Sequence, residues 1–487
     1  MLRKVWGKSI GIVLLCYMSM TKFALYANEG ILHFIKSPEL SVASVGYCLL
    51  DATTGRMIHS YDEERALLPA SVLKVVTTAT ALDLLGPDYR FATKVGYTGT
   101  VDKDGILQGN LIIRGGGDPM LGSEFSRYPQ DHFLNKLFVA VQAAGIKGIK
   151  GRVVCDDSLF DTEGVSHKWL WEDMGNYFAA GSYGLNYSDN MYRLILRSGT
   201  VGTAPQILGT KPEIPDLMFS NYLRAAANAI DSVYIYGAPF SGQRYLYGTL
   251  PANRSTFTVK GDIPDPALYL GQVVSGMFVS KGIKVQGKPI TVRLLRERGE
   301  TFLYFGMHQL LSFSSDKLID IITVTNKRSN NLFAETLLKQ IALTRYPIAS
   351  ASRGIEVVSG HWREKGIDVS SLMLADGSGL SPVNRISAGA VARILFSIKN
   401  GKNGDSFLRT LPKAGEEGTV RNLLKGSRLN GSLYLKSGSI MGVQCFAGYY
   451  IGQKPYIIVL MVNNFTGPRS ILRRDIERLF LSELSGR

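Results

Sequence analysis

The sequence predicts an α/β (α+β) fold: one antiparallel sheet built from both chain ends, covered by helices on both faces, with a large strand-rich insertion between them. Three observations lead there. Short apolar strand runs separated by turn residues occur near both chain ends. Helical periodicity flanks them. Between residues 94 and 308 the chain changes to short strand-like runs broken by Gly and Pro. At 487 residues the chain is long for a single core, so the insertion is expected to form one or two extra domains.

The elements follow in order. Residues 45–50 are apolar, 51–55 (Asp-Ala-Thr-Thr-Gly) are turn chemistry and 56–61 return, which reads as a hairpin. Pro69 then opens a helix whose apolar face is Val72, Leu73, Val75, Val76, Ala79 and Leu82, and Gly86-Pro87 stops it. In the insertion, runs such as 111–114 and 192–196 alternate with glycine-rich turns, and a structureless loop of this length is not credible in a compact protein. Helical periodicity returns at 317–325 and 331–343. Strands are expected at 432–436, 443–450 and 456–462, the last two joined by a turn at 452–455. The run 456–462 is continuously apolar and so should be buried on both faces. A final helix over 469–484, with Ile471, Leu472, Ile476, Leu479 and Phe480 on one face, covers the sheet. The expected division is a signal peptide at 1–27, a catalytic part from 28–93 and 309–487, and an inserted strand-rich region at 94–308.

Composition narrows the function classes. The formal net charge is +15. Arg3, Lys4, Lys8 and Lys22 contribute four of those positives, so 15 − 4 = +11 remains beyond the leader. Such a surface suits an anionic substrate and allows peripheral membrane contact. Nucleic acid is disfavoured: there is no zinc-finger spacing, basic helix or aromatic–basic interleaving. Positive residues followed by an apolar run from Ile10 to about Met20, then small residues near Ala24 and Ala27, have the layout of a secretory signal. The expected location is therefore outside the cytoplasm, in the periplasm or cell envelope. Cys48, Cys155 and Cys445 are odd in number and share no motif, so buried free thiols are expected. The six histidines have no metal-ligand spacing, and neither a metal nor a cofactor is expected. Nothing in the sequence specifies an oligomer.

Three motifs stand in order: Ser71-Val72-Leu73-Lys74, Ser329-Asn330-Asn331 and Lys436-Ser437-Gly438. A helix puts Ser71 and Lys74, three residues apart, on one face. Serine is a weak nucleophile until a base takes its proton, and lysine is that base only if burial or a second cation lowers its pKa. Lys436 is a candidate for that cation. Ser329, at a connection between helices, is placed to pass a proton to a leaving amine, and Asn331 to hold a substrate amide. Lys436, Ser437 and Gly438 lie on an apolar strand. The lysine and hydroxyl suit a substrate carboxylate, glycine allows a close backbone approach, and the Ser439 N–H is a candidate oxyanion donor. Two decoys, Ser314–Lys317 and Ser188–Asn190, lack the matching helical context.

This ordered set resembles the low-molecular-mass class C penicillin-binding proteins, the D-alanyl-D-alanine carboxypeptidase/endopeptidase family. Further similarities are Arg114-Gly-Gly-Gly-Asp-Pro119, Tyr183-Gly-Leu-Asn186 with Asn190, Asp376-Gly-Ser-Gly-Leu-Ser381, and the long gap between Ser71 and Ser329. The resemblance implies a serine β-lactamase/transpeptidase-like fold and acylation of Ser71 by the penultimate D-Ala of peptidoglycan peptides. It also implies covalent inhibition by β-lactams. Two residues depart from the family pattern: Ser437 stands where threonine is usual and Asn330 where aspartate is common. A serine β-lactamase would add rapid deacylation, for which no water-activating motif is visible. A non-catalytic peptidoglycan-binding scaffold would not need the intact nucleophile and base.

Overall fold

The computed structural model describes residues 29–302 and 306–484; the leader reading at 1–27 lies outside them. In chain order the main sheet and the helices that position the motifs are strands β1 (Ser44–Asp51) and β2 (Met57–Tyr61), helices α1 (Leu73–Leu85), α2 (Leu318–Arg328), α3 (Asn331–Ala342) and α4 (Ala388–Lys399), strands β3 (Leu433–Ile440), β4 (Val443–Tyr450) and β5 (Tyr456–Asn463), and helix α5 (Arg469–Glu483). The five strands form one sheet in the order β2-β1-β5-β4-β3, antiparallel throughout. Two strands from the N-terminal end and three from the C-terminal end thus share one sheet, as the sequence predicts.

The reason is visible in the pleat. Successive side chains of a strand point to opposite faces, and both faces of β1 and β5 are apolar. Cys48 and Leu50 with Ile457, Val459 and Met461 pack beneath α1, α2, α3 and α4. Tyr47 and Leu49 with Ile458, Leu460 and Val462 pack against Leu472, Ile476, Leu479 and Phe480 of α5. Every residue of β5 is buried, which accounts for the unbroken apolar run 456–462. Cys48, Cys155 and Cys445 are buried and free, and burial pushes the Cys445 thiol up to about 12.

The intervening chain is rich in strands, with a core of its own. Strand Ala92–Tyr97 leads into it and strand His308–Ser314 leads out. These two pair antiparallel at one side of a second five-stranded sheet. An insertion whose ends are neighbours in a ladder leaves the host sheet undisturbed, because little chain is needed to bridge the gap. No described helix is long and apolar enough to cross a membrane.

Candidate active site

Ser71 lies in a short 3-10 turn (Ala70–Val72) that runs directly into α1. Ala70 just before it has φ +45°, in the left-handed region that costs a non-glycine residue energy and recurs at functional sites. Two glycines hold the turn in place. A Cβ on Gly379 would meet the Ala70 carbonyl oxygen at 1.9 Å, and one on Gly438 would meet the Pro69 carbonyl at 2.5 Å and the Val72 nitrogen at 2.8 Å. Only glycine lets strand β3 and the 376–381 loop press this closely on the backbone at Ser71.

Lys74 follows one turn later and is fully buried. Its Nζ donates to Ser71 Oγ at 3.0 Å, to Asn331 Oδ1 at 2.6 Å and to the Ser378 carbonyl at 2.7 Å. Burial lowers its pKa to about 7, against the opposing pull of Asp376 and Glu335. Lys436 is also fully buried. It donates to Ser329 Oγ at 2.9 Å and to the Ser437 carbonyl at 2.6 Å. Burial and then repulsion from Lys74 hold it well below the usual lysine range. Desolvation is the first cause for both amines.

The second motif is built by a helix boundary. Ser329 caps the end of α2 with φ +57°, and Asn330 begins α3 by accepting from the Phe333 N–H at 3.1 Å. Asparagine and aspartate are equivalent at such a cap, so the departure at Asn330 leaves the local structure intact. Asn331 uses both ends of its amide on the protein, Oδ1 on Lys74 and Nδ2 on the Phe178 carbonyl at 2.7 Å. It links the Lys74 amine to the 177–179 turn.

Strand β3 runs beyond the 432–436 expected from sequence, and its alternation sorts the third motif. Lys436 and Gly438 face inward, while Ser437 and Ser439 face the cleft. Ser437 Oγ donates to Thr419 Oγ1 at 2.7 Å. Ser439 Oγ meets the Arg469 guanidinium, which also donates to the Ile440 carbonyl at 2.8 Å and to Gln444 Oε1 at 2.9 Å. The cleft, of about 490 Å³, is lined by Ser71, Ser329, Ser437, Ser439, Arg469 and Arg473 among others. Its wall cations are the two arginines. Lys436 is turned inward on Ser329, so the expectation that its ammonium meets a substrate carboxylate does not fit this geometry.

The structure thus brings Ser71, Lys74, Ser329, Asn331, Lys436, Ser437, Gly438 and Ser439 into one site. It adds residues that no short motif marks. Glu335, four residues after Asn331 on α3, accepts from the Gly377 N–H at 3.1 Å and the Ser378 N–H at 2.8 Å. It thereby fixes the carbonyl that receives Lys74. Burial, with Asp376 adding, pushes the Glu335 carboxyl upward. Asp376 in turn accepts from Gly379 N–H at 2.8 Å, Asn384 Nδ2 at 2.8 Å and Trp169 Nε1 at 2.9 Å. The i, i+4 spacing from Asn331 was the one signal for Glu335; nothing local marks Arg469. The Ser188–Asn190 decoy is structural: Asn190 Nδ2 donates to the Gly181 carbonyl and Asn186, and Asp189 accepts from the Glu124 N–H. In the other decoy, Lys317 pairs with Asp88.

Comparison with known proteins decides the family. Residues 27–477 match the model of the D-Ala-D-Ala carboxypeptidase 3 (S13) family. The chain belongs to this family. It is a serine-type D-Ala-D-Ala carboxypeptidase, a hydrolase of peptidoglycan stem peptides. The D-alanyl-D-alanine carboxypeptidase of Actinomadura sp. (strain R39) is 27% identical over 472 residues, covering 94% of this chain and 85% of the relative. Penicillin binding protein 4 (dacB) from Haemophilus influenzae has the same fold, with TM-score 0.79 at 23% identity over 93% of this chain and 99% of that one; it has also been solved with a β-lactam. A predatory endopeptidase from Bdellovibrio bacteriovorus aligns with TM-score 0.52 at 14% identity, over 92% of this chain and 94% of that one.

Proposed function

We propose that the S13 enzyme works through an acyl-enzyme on Ser71, with each site residue in a defined role. Neutral Lys74 takes the Ser71 proton as Oγ bonds to the carbonyl carbon of the penultimate D-Ala. The Ser71 and Ser439 N–H groups face the developing oxyanion. The C–N bond then breaks as the proton that Lys74 took from Ser71 is delivered to the departing amine through the Ser329 hydroxyl, which Lys436 holds in place. Water hydrolyses the ester and frees Ser71. The observation that carries this reading is the 3.0 Å contact between a fully buried lysine and the serine hydroxyl. β-Lactams acylate the same oxygen. Export to the periplasm or cell envelope, and the role of 94–308 as one or two units carried by the catalytic part, complete the reading.

The same cleft serves D-Ala-containing cross-links as well as free stems, because the reacting bond is of one chemical type in both. Mass spectrometry of products from a pentapeptide stem and from a cross-linked dimer tests this. The expected result is loss of one D-Ala from the first and separation of the second into two stems. Release of neither product would overturn the proposal.

The terminal carboxylate is met by Ser437 and Arg469, since Lys436 is turned inward. Arg469→Ala should lower kcat/KM on a free-carboxylate peptide by about 10- to 100-fold, the scale of one hydrogen bond to a charged group. On the matching peptide amide the loss should be much smaller. Equal losses on both substrates would remove Arg469 from this role.

A further inference from the structure

The four-stranded sheet made by Met218–Asn221, Arg224–Ala226, Ser232–Tyr236 and Gln243–Pro251 lies within the insertion. Its two long neighbours pair Tyr234 with Tyr247, Ile235 with Leu246 and Tyr236 with Tyr245. Ile235 and Leu246 point inward and are buried in the insertion's core. Alternation therefore puts four tyrosines on the opposite face. A sheet with one dry face should be polar on the other, yet Tyr234, Tyr245 and Tyr247 are 45%, 39% and 45% exposed there. Trp171 and Tyr222, 55% and 54% exposed, extend the surface at either side.

The rings form a continuous row. Trp171 lies 6.2 Å from Tyr236 with planes 6° apart. Tyr236 is 6.3 Å from Tyr234 with planes 12° apart and 5.5 Å from Tyr247, which meets it edge-on at 62°, and Tyr247 is 5.0 Å from Tyr222. Aromatic faces are electron-rich and attract the slightly positive C–H bonds that line one side of a pyranose, while phenol hydroxyls can bond sugar hydroxyls. The row itself carries no charge, whereas a phosphate polymer needs a basic groove.

The row is also joined to the catalytic cleft. The segment that begins at Trp171 is pinned to the tyrosine strand, Gly237 N–H donating to the Met174 carbonyl at 3.2 Å and Ile235 N–H to Asn176 Oδ1 at 3.1 Å. The same segment then supplies the Phe178 carbonyl that holds Asn331. Its exposed Tyr177, with Lys260 Nζ 5.4 Å above the ring, lines a hollow shared with Ser329, Asn330 and Asn331.

We propose that this aromatic row is a glycan-binding platform, which takes the sugar strand carrying the stem peptide and so presents the peptide to Ser71. The inference rests on the peptidoglycan reading above. Its test uses full-length mature protein, with a soluble β-1,4-linked N-acetylglucosamine oligomer and peptide-free glycan strands as probes. Tryptophan quenching and co-sedimentation are the readouts. The wild type should bind both probes, and Tyr236→Ser combined with Tyr247→Ser should weaken binding about tenfold or more. Thermal unfolding checks the fold; should the double variant be unstable, Trp171→Ala, at the exposed edge, replaces it. Absence of wild-type binding to peptide-free strands, or variant binding equal to wild type, would overturn the platform. So would self-association lost in the variant without any glycan binding, since a second copy would then cover the face. D-Ala release from a soluble pentapeptide, measured alongside, separates failure of the platform from failure of the peptidase reading.

Discussion

Ser71→Ala should abolish D-Ala release from a soluble pentapeptide, by a factor on the order of 10⁶, and should prevent covalent uptake of penicillin altogether. The scale is that of removing a serine nucleophile from a hydrolase whose residues act as a unit. The fold should survive, because the hydroxyl is one of three acceptors around Lys74. Asn331 Oδ1 at 2.6 Å and the Ser378 carbonyl at 2.7 Å remain when it goes, so the buried amine keeps partners and no large desolvation cost appears. Alanine also fits the turn: Val72, Leu73 and Ala70 pack around the backbone at this point, all fully buried, and the substitution removes one atom from the cleft side. The measurement is intact-protein mass spectrometry after incubation with penicillin, beside a coupled D-alanine assay and a thermal melt. A variant that melts like wild type yet still acquires the penicillin adduct would move the nucleophile elsewhere.

Much of this architecture is legible in the sequence because it is written in local periodicity. The unbroken apolar run of β5, the hairpin of β1 and β2 and the one-sided face of α5 each report their burial directly. The three motifs are likewise local: a helix turn, a helix cap and a strand. What the sequence leaves open is direction. Lys436 sits one residue from Ser437, and only the pleat of β3 decides which of the two looks into the cleft. Asn331 carries no sign in sequence that Phe178, from the insertion, takes one of its two amide hydrogens. Arg469 lies 32 residues beyond Ser437, and β4 and β5 must pair before it returns to the β3 edge. Contacts of that kind depend on register across the sheet, which no short-range pattern encodes.

The same burial that hides Lys74 should appear as a pH dependence of acylation. A free lysine titrates near 10.5, whereas burial brings Lys74 to about 7. Ordinary lysine would be neutral in about one molecule in 3,000 at pH 7, and Lys74 in about half. The direction follows from the base's role: only the neutral amine accepts the Ser71 proton. Acylation by penicillin should therefore be level above pH 7 and fall about tenfold for each unit below it. Asp376 and Glu335 oppose the shift, so Glu335→Gln, which keeps the shape of the side chain, should carry the break in the profile to lower pH. A purely structural role for Glu335 would change the rate and leave the break where it was. Lys74→Arg should lose at least 10³-fold at every pH, because a guanidinium stays charged and cannot serve as base. A stopped-flow profile of penicillin acylation that stays flat from pH 5 to 9 would remove Lys74 from the chemistry, whatever its distance from Ser71.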